Sequence, residues 1–183
     1  MRTFIAIEMA EGIRKQLADA QERLRAAGGS VKWVKPDQMH LTLRFLGEIE
    51  ESAVDPVAEA IAAAASGVQP FEAAVVGLGS FPPQGAPRVV WVGVRDAGPL
   101  VPLQKRLEEE LERRGFGRED HPFTPHLTLG RVKDPRGARE LRAAVDAQRE
   151  TPFGAQTIGE ILLIQSVLSP GGPAYTPLRR HRL

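Results

Sequence analysis

The 183-residue chain contains no cysteine, and this absence removes several kinds of chemistry at once. Without cysteine there are no disulfides, no thiolate metal ligands and no cysteine nucleophile. The absence is typical of a protein kept in a reducing compartment, and we expect a cytoplasmic protein. The first apolar run, TFIAIE, is too short and too interrupted for a signal sequence or a membrane span, so we expect no membrane association.

An excess of charge of either sign is also missing. The chain has 24 lysines and arginines against 23 aspartates and glutamates, a formal net charge of +1. Any contact with nucleic acid must therefore come from a local basic patch. The length fits one domain, or two small lobes that share a core. No long apolar stripe is left over once the core is assigned, so we expect a monomer without an obligate protein partner.

Apolar periodicity, together with glycine and proline breaks, predicts alternating helices and strands. The predicted helices are 11–27, 52–65, 100–114 and 138–148. The predicted strands are 3–8, 31–34, 40–46, 71–78, 88–95, 126–132, 156–159, 161–169 and 174–180. No linker rich in glycine or serine separates independent domains, so residues 1–183 are predicted to form a single domain.

The tetrapeptide His-Leu-Thr-Leu occurs twice, at residues 40–43 and 126–129. Each copy lies in a predicted strand that is preceded by a helix and a loop and followed by another helix. Chance alone could repeat four letters, so the weight of the repeat comes from which residues recur and from their matching places. This pattern indicates an internal duplication packed as two lobes.

Alternation along a strand places the histidine and threonine of each copy on one face. His40 and Thr42 share a face, as do His126 and Thr128, while the leucines face a core. Two imidazoles in one cleft can act at phosphorus, one activating water and the other protonating the leaving oxygen. The threonine hydroxyls can bind phosphate oxygens. This chemistry requires no metal, and one histidine per strand is a poor metal site. The repeat leaves the acid and base roles interchangeable.

Two arginines and two phenylalanines near the motifs are further candidates for substrate contacts. Alternation places Arg44 on the histidine face and Arg131 on the leucine face, unless the second strand bulges or ends at Gly130. Phe45 and Phe123 could stack on a base if they line a cleft. Phenylalanines in such positions more commonly pack in the core. This applies to Phe45 in particular, because alternation places it on the same face as Leu41 and Leu43.

Longer segments around the motifs resemble a known family. These segments are TFIAIE, VKWVKPDQMHLTLRFLGE, FPPQGAPRVVWVGV and FTPHLTLGR. Together with the two HxTx motifs they resemble the RNA 2′,3′-cyclic phosphodiesterases, also called 2′-5′ RNA ligases, of the 2H phosphoesterase superfamily. The resemblance covers nearly the whole chain. It implies an α+β fold of two pseudo-symmetric lobes, each an antiparallel sheet with helices on its outer face, with the active-site groove between them.

The resemblance also implies roles for individual residues. It implies that His40 is the general acid for the leaving 3′ oxygen and that His126 is the general base for water. Thr42 and Thr128 are implied phosphate ligands, and the arginine that follows the family's second motif matches Arg131, which we prefer on this ground. The implied reaction opens a 2′,3′-cyclic phosphate at an RNA end, with tRNA fragments among the candidates, to a 2′-phosphate. No metal or cofactor is implied, and a reversible, ATP-independent 2′-5′ joining reaction is linked with the family.

Two alternatives stay open. The same site could act on a small cyclic nucleotide, such as ADP-ribose cyclic phosphate, and a closed pocket for one nucleotide would favour that substrate over RNA. The chain could instead be a non-catalytic module that binds RNA ends. Against the module stands the choice of histidine, since lysine or arginine would hold phosphate without titrating near neutral pH.

Overall fold

The computed structural model describes residues 1–96 and 98–183, and within these residues it has four α-helices and nine β-strands. The helices are α1 Glu11–Ala27, α2 Val54–Ala65, α3 Leu100–Arg113 and α4 Ala138–Asp146. The strands are β1 Arg2–Glu8, β2 Ser30–Trp33, β3 His40–Glu48, β4 Phe71–Phe81, β5 Val89–Asp96, β6 His126–Asp134, β7 Pro152–Ile158, β8 Glu160–Ser169 and β9 Gly172–Arg182. The predicted α+β class is confirmed.

The described strands form two antiparallel sheets. The first sheet has the order β3-β1-β8-β9 and the second has the order β2-β6-β5-β4-β7. Each sheet therefore takes strands from both halves of the chain. The two lobes do not coincide with the two halves of the sequence repeat, because β8 and β9 return to the sheet in which β1 and β3 lie.

Each sheet carries two helices. Helices α2 and α3 pack together on the first sheet, and α1 and α4 lie against the second. A single hydrophobic cluster runs through both lobes, and it contains all four motif leucines, Leu41, Leu43, Leu127 and Leu129. The leucine face of each motif is thus buried, as predicted. Of the helices in residues 1–96 and 98–183, none is both long and apolar enough to cross a membrane.

Several element boundaries differ from the predicted ones. Both motif strands run two residues further than predicted, to Glu48 and Asp134, because their ends pair with Arg2 of β1 and Ser30 of β2. Strand β7 begins at residue 152 rather than 156, and residues 51–53 form a 3₁₀ turn before α2. Apolar patterning marks the buried part of an element, whereas backbone pairing continues beyond it.

Candidate active site

The two motif strands, β3 and β6, have the same pattern of burial over their first eight positions. They also depart from regular pairing at the same point. Against β1, pairing passes from Thr42 to Arg44 and leaves out Leu43. Against β5, the same irregularity in β6 leaves out Leu129. Such a skipped residue is a β-bulge, and it reverses the alternation of faces beyond it.

The bulge in β3 reverses the predicted positions of Arg44 and Phe45, so the assignment from simple alternation is wrong at both. Arg44 is 8% exposed, lies on the core side, pairs with Glu108 at 2.7 Å and also donates to the carbonyl of Gly117. Phe45 is 60% exposed and its ring lies 6.0 Å from that of Phe4. Arg44 is thereby held in a structural ion pair, and the open face receives an aromatic ring instead.

The corresponding bulge in β6 brings Arg131 to the open face. Arg131 pairs across the ladder with Val89, which lies two residues from Trp91, the partner of Thr128. Partners in an antiparallel ladder project to the same side, so Arg131 shares a face with Thr128. Arg131 is exposed. A bulge like the one considered at Gly130 is therefore present one residue earlier, at Leu129, and it places the arginine beside the second motif.

Both motif imidazoles are held by the same kind of hydrogen bond. The Nδ1 atom of His40 lies 3.1 Å from the carbonyl oxygen of Gln38, and that of His126 lies 2.6 Å from the carbonyl oxygen of Thr124. A carbonyl oxygen only accepts, so Nδ1 must donate in both rings. The neutral rings therefore keep their Nε2 lone pairs free, and the charged rings can donate from Nε2. This is the arrangement that either an acid or a base requires.

Two aromatic rings lie edge-on to each imidazole. The first imidazole has Tyr175 at 5.3 Å and Phe4 at 6.1 Å, measured between ring centroids. The second has Phe81 at 5.3 Å and Trp91 at 6.1 Å. Tyr175 and Trp91 were not predicted as neighbours of the site, since only the pairing of distant strands places them beside the motifs. These rings restrict the imidazoles to a narrow range of orientations.

Burial lowers the pKa of His40 below its ordinary value, while its bond to the Gln38 carbonyl opposes that shift. Arg14 lowers the pKa of His40 further and Glu8 raises it, both to a smaller extent than burial does. Burial also raises the pKa of the Tyr175 hydroxyl. The neutral form of His40 is therefore favoured in the free protein, because the charged ring would lose solvation.

The two residues skipped at the bulges, Leu43 and Leu129, each have a backbone carbonyl that accepts a hydrogen bond from a buried glutamine. Neither glutamine was predicted from the sequence to support the site. The side-chain amide of Gln21, on α1, donates to the Leu129 carbonyl at 2.9 Å, and that of Gln104, on α3, donates to the Leu43 carbonyl at 3.2 Å. Both glutamines are buried, at 4% and 7% exposure. The Leu129 carbonyl also accepts the backbone N–H of Val34 at 2.9 Å, and the Gln21 amide also donates to the Val34 carbonyl at 2.7 Å. A crossing helix thus adds a buried side-chain donor at each bulge. The sequence feature that could have identified both glutamines is a polar residue on the otherwise apolar face of an amphipathic helix.

The remaining candidate, Phe123, lies elsewhere. It is half-buried and packs against the main hydrophobic cluster, as expected for the commoner fate of a flanking aromatic residue. In the part of the chain that the structure describes, no three histidine, aspartate or glutamate side chains are grouped closely enough to hold a metal ion.

Comparison with known proteins agrees with the resemblance noted in the sequence. A family model described as the 2′-5′ RNA ligase superfamily matches residues 13–168. A protein of Methanothermobacter thermautotrophicus named RNA 2′,3′-cyclic phosphodiesterase is 34% identical over 183 residues, which are 100% of this chain and 99% of that protein. A protein of the same name from Archaeoglobus fulgidus is 38% identical over 179 residues, 98% of each chain.

Solved structures show the same likeness over the full length. The Thermus thermophilus protein TT0787 has a TM-score of 0.80 and 34% identity, and the match covers 100% of this chain and 98% of that one. LigT of Escherichia coli, solved in complex with 3′-AMP, has a TM-score of 0.76 and 29% identity, with 100% and 97% of the two chains covered. The predicted arrangement of two antiparallel sheets with outer helices is thus confirmed as the fold of these proteins.

Proposed function

The chain belongs to the 2′-5′ RNA ligase superfamily, and from that premise we propose that it is an RNA 2′,3′-cyclic phosphodiesterase whose two motif histidines act as acid and base. One observation carries the proposal. Both motif imidazoles are fixed in the tautomer with a free Nε2, on strands with matching burial and matching bulges. Each imidazole has a threonine hydroxyl on its own face, which suits a phosphate bound between the two strands.

In the proposed reaction the cyclic phosphate lies between the hydroxyls of Thr42 and Thr128, and Arg131 offsets the charge that develops on its oxygens. Nε2 of His126 takes a proton from water as the water oxygen attacks phosphorus. The bond from phosphorus to the 3′ oxygen breaks, and Nε2 of charged His40 gives its proton to that oxygen. The phosphate stays on the 2′ oxygen. Every proton and electron pair is accounted for without a metal or cofactor.

An in-line displacement places the attacking and leaving oxygens on opposite sides of phosphorus. With His40 as acid, the ribose and its base lie on the side of the first sheet. There Phe45 presents an exposed ring beside Phe4, which provides a surface on which a base can stack. Because this ring is open to solvent rather than enclosed, it favours an RNA end over a small cyclic nucleotide. The protein itself is proposed to act as a monomer.

The acid role requires a charged imidazole, although burial lowers the pKa of His40 in the free protein. A phosphate anion bound beside the ring favours its charged form and raises the pKa again. Binding of the substrate therefore prepares the acid, while the resting protein keeps this ring neutral.

The proposal is tested with an RNA oligonucleotide that ends in a 2′,3′-cyclic phosphate, incubated with the protein in excess EDTA. The expected product is the 2′-phosphate, identified by ³¹P NMR, at the rate found without EDTA. Loss of activity on chelation would contradict the metal-free mechanism. A 3′-phosphate product would contradict the placement of the 3′ oxygen beside the acid.

A further inference from the structure

The turn that precedes the first motif is bonded to the far end of the β8–β9 hairpin. The side-chain amide of Gln38, in the 3₁₀ turn Pro36–Gln38, donates to the Pro173 carbonyl at 2.7 Å. The ammonium group of Lys35 donates to the Gly171 carbonyl at 2.9 Å. These two bonds fix the hairpin to the segment that leads into the first motif strand, and the proposed reaction itself uses neither side chain.

The end of this hairpin lies largely in solvent. Val167 and Leu168, the last apolar residues of β8, are 51% and 68% exposed. A segment packed this loosely opens at a low free-energy cost, so bonds to its neighbours determine where it lies. Gly172 permits the close approach, since its φ is +111° and an added Cβ would lie 3.4 Å from Nε2 of Gln38.

The hairpin brings an aromatic ring to the first motif. Tyr175 follows Pro173 by two residues and so lies on the same side of β9. Its ring centroid lies 5.3 Å from that of His40 and 5.1 Å from that of Phe4, edge-on to both. The ring also packs against a small hydrophobic cluster that is separate from the main one. The position of the hairpin therefore determines how closely Tyr175 covers the imidazole.

The backbone of Gln38 holds the same imidazole. Its carbonyl oxygen accepts from Nδ1 of His40 at 3.1 Å. This carbonyl is fixed in turn, because the Gln38 N–H donates to the Lys35 carbonyl at 2.9 Å and the next residue, Met39, is only 1% exposed. One residue thus contacts the ring through its backbone, and through its side chain it contacts the hairpin that covers the ring.

We propose that Gln38 is a positioning residue for the first-motif histidine, joining the β8–β9 hairpin to the imidazole so that Tyr175 stays closed over the ring of His40. The inference rests on the proposed function, in which His40 is the acid. It adds a residue on which that acid depends and which acts through another group. An acid that is oriented in advance needs no rearrangement when the substrate binds.

The second motif divides the same tasks between two residues. The Thr124 carbonyl holds the imidazole of His126. A different side chain, that of Arg142 on α4, donates to backbone carbonyls at the tip of the hairpin that carries Phe81. A change at Gln38 should therefore affect the first-motif imidazole and leave the second unaltered.

The surroundings of His40 give this coupling a measurable sign. Burial is the main cause of the lowered pKa of His40, and the bond to the Gln38 carbonyl opposes it. Charged neighbours make smaller contributions to this pKa, and they are Arg14 on α1, Glu8 on β1 and Asp37 in the turn. Burial raises the pKa of the Tyr175 hydroxyl, which is therefore neutral near pH 7. Release of the hairpin leaves these charges in place but exposes the ring, so the pKa of His40 should rise.

Gln38→Met tests the proposal, because methionine keeps the length of the side chain and removes the donor. We expect kcat for opening of an RNA 2′,3′-cyclic phosphate to fall roughly tenfold, with KM within about twofold, because the acid is misplaced and the phosphate ligands are not. Proton NMR of the free protein should show a higher pKa for His40 and the wild-type titration curve for His126. Gln69→Met, at an exposed position before β4, is the matched control and should equal the wild type in each of these measurements.

A second variant shows whether the effect of Gln38 passes through the hairpin. Tyr175→Leu removes the ring that the hairpin holds over His40, and it should raise the His40 pKa as Gln38→Met does. The double variant should lose little more kcat than the more impaired single variant, because effects within one linked unit are not additive.

Three outcomes would overturn the inference. A wild-type kcat and an unmoved His40 titration in Gln38→Met would show that the amide does not position the imidazole. An equal shift of the His126 titration would show a general loosening of the fold. Fully additive losses in the double variant would show that Gln38 acts independently of Tyr175. If the wild type does not open the cyclic phosphate, the proposed function fails, whereas the NMR titrations still decide whether Gln38 positions His40.

Discussion

The two motif histidines are equivalent in sequence but differ in their surroundings. The hydrogen bond of His40 to Gln38 is partly buried, whereas that of His126 to Thr124 is exposed to solvent. Because burial disfavours the charged ring, we expect His40 to titrate below 6.5 in the free protein. Inorganic phosphate should raise this pKa, since an anion stabilises the imidazolium. Proton NMR titration with and without phosphate measures both shifts, and titration of His40 above 6.5 without phosphate would contradict the account.

The two arginines near the motifs should give opposite results when they are replaced. Arg131→Ala removes a group from the open face, so kcat/KM should fall by roughly one to two orders of magnitude with little loss of stability. Arg44→Ala removes the ion-pair partner of Glu108. The side chains of Arg44 and Glu108 are only 8% and 17% exposed, so the remaining carboxylate would be largely buried. We expect it to cost about 3 kcal/mol of unfolding free energy. Urea unfolding and steady-state kinetics separate the two effects. Unchanged activity in the Arg131 variant together with unchanged stability in the Arg44 variant would contradict both assignments.

At the scale of strands, the sequence predicted the two motif strands but not the shape of their middle sections. Alternation correctly placed the motif leucines in the core, because burial of apolar residues marks one face. It failed beyond Leu43, where the bulge moves Arg44 inward and Phe45 outward. A bulge depends on the partner strand and on the donors that its carbonyl finds, so single-strand periodicity does not show it. The resemblance to the family selected Arg131 where alternation alone did not.

The buried glutamines that support the bulges can be tested directly. Gln21→Met removes the amide that donates to the Leu129 carbonyl, while its shape stays similar. We expect a loss of about 1–3 kcal/mol in unfolding free energy, because the carbonyls of Leu129 and Val34 both lose the amide donor and only Leu129 keeps the Val34 N–H among the bonds described. We also expect a fall in kcat/KM as Arg131 moves. Gln16→Met, an exposed position on the same helix, is the control. Equal stability of the two variants would show that this bond does not hold the bulge.

At the scale of the whole molecule, the elements were largely predictable and their distribution between lobes was not. Each predicted helix and strand is present, α1 with the predicted ends and the other elements with at least one end shifted. The crossing was unforeseen: α1 leaves the first sheet to pack on the second, and α3 leaves the second to pack on the first. Such crossings depend on which sheet best fits the apolar face of each helix. The spacing of apolar residues within a helix predicts that face but not the sheet on which it packs. We propose that residues 1–183 form one two-lobed domain with an internal duplication, since each lobe needs helices and strands from both halves.

The claim that both motif histidines act together in one reaction is tested most directly by the rate of cyclic-phosphate opening in His40→Ala and His126→Ala. Each change should lower kcat by at least ~10²-fold, the lower end of the range for lost acid–base catalysis. The double variant should lose little more than either single one, because the two groups serve the same step. His121→Ala, at an exposed loop position, should react like the wild type. Near-normal turnover by either single variant would contradict the two-histidine mechanism.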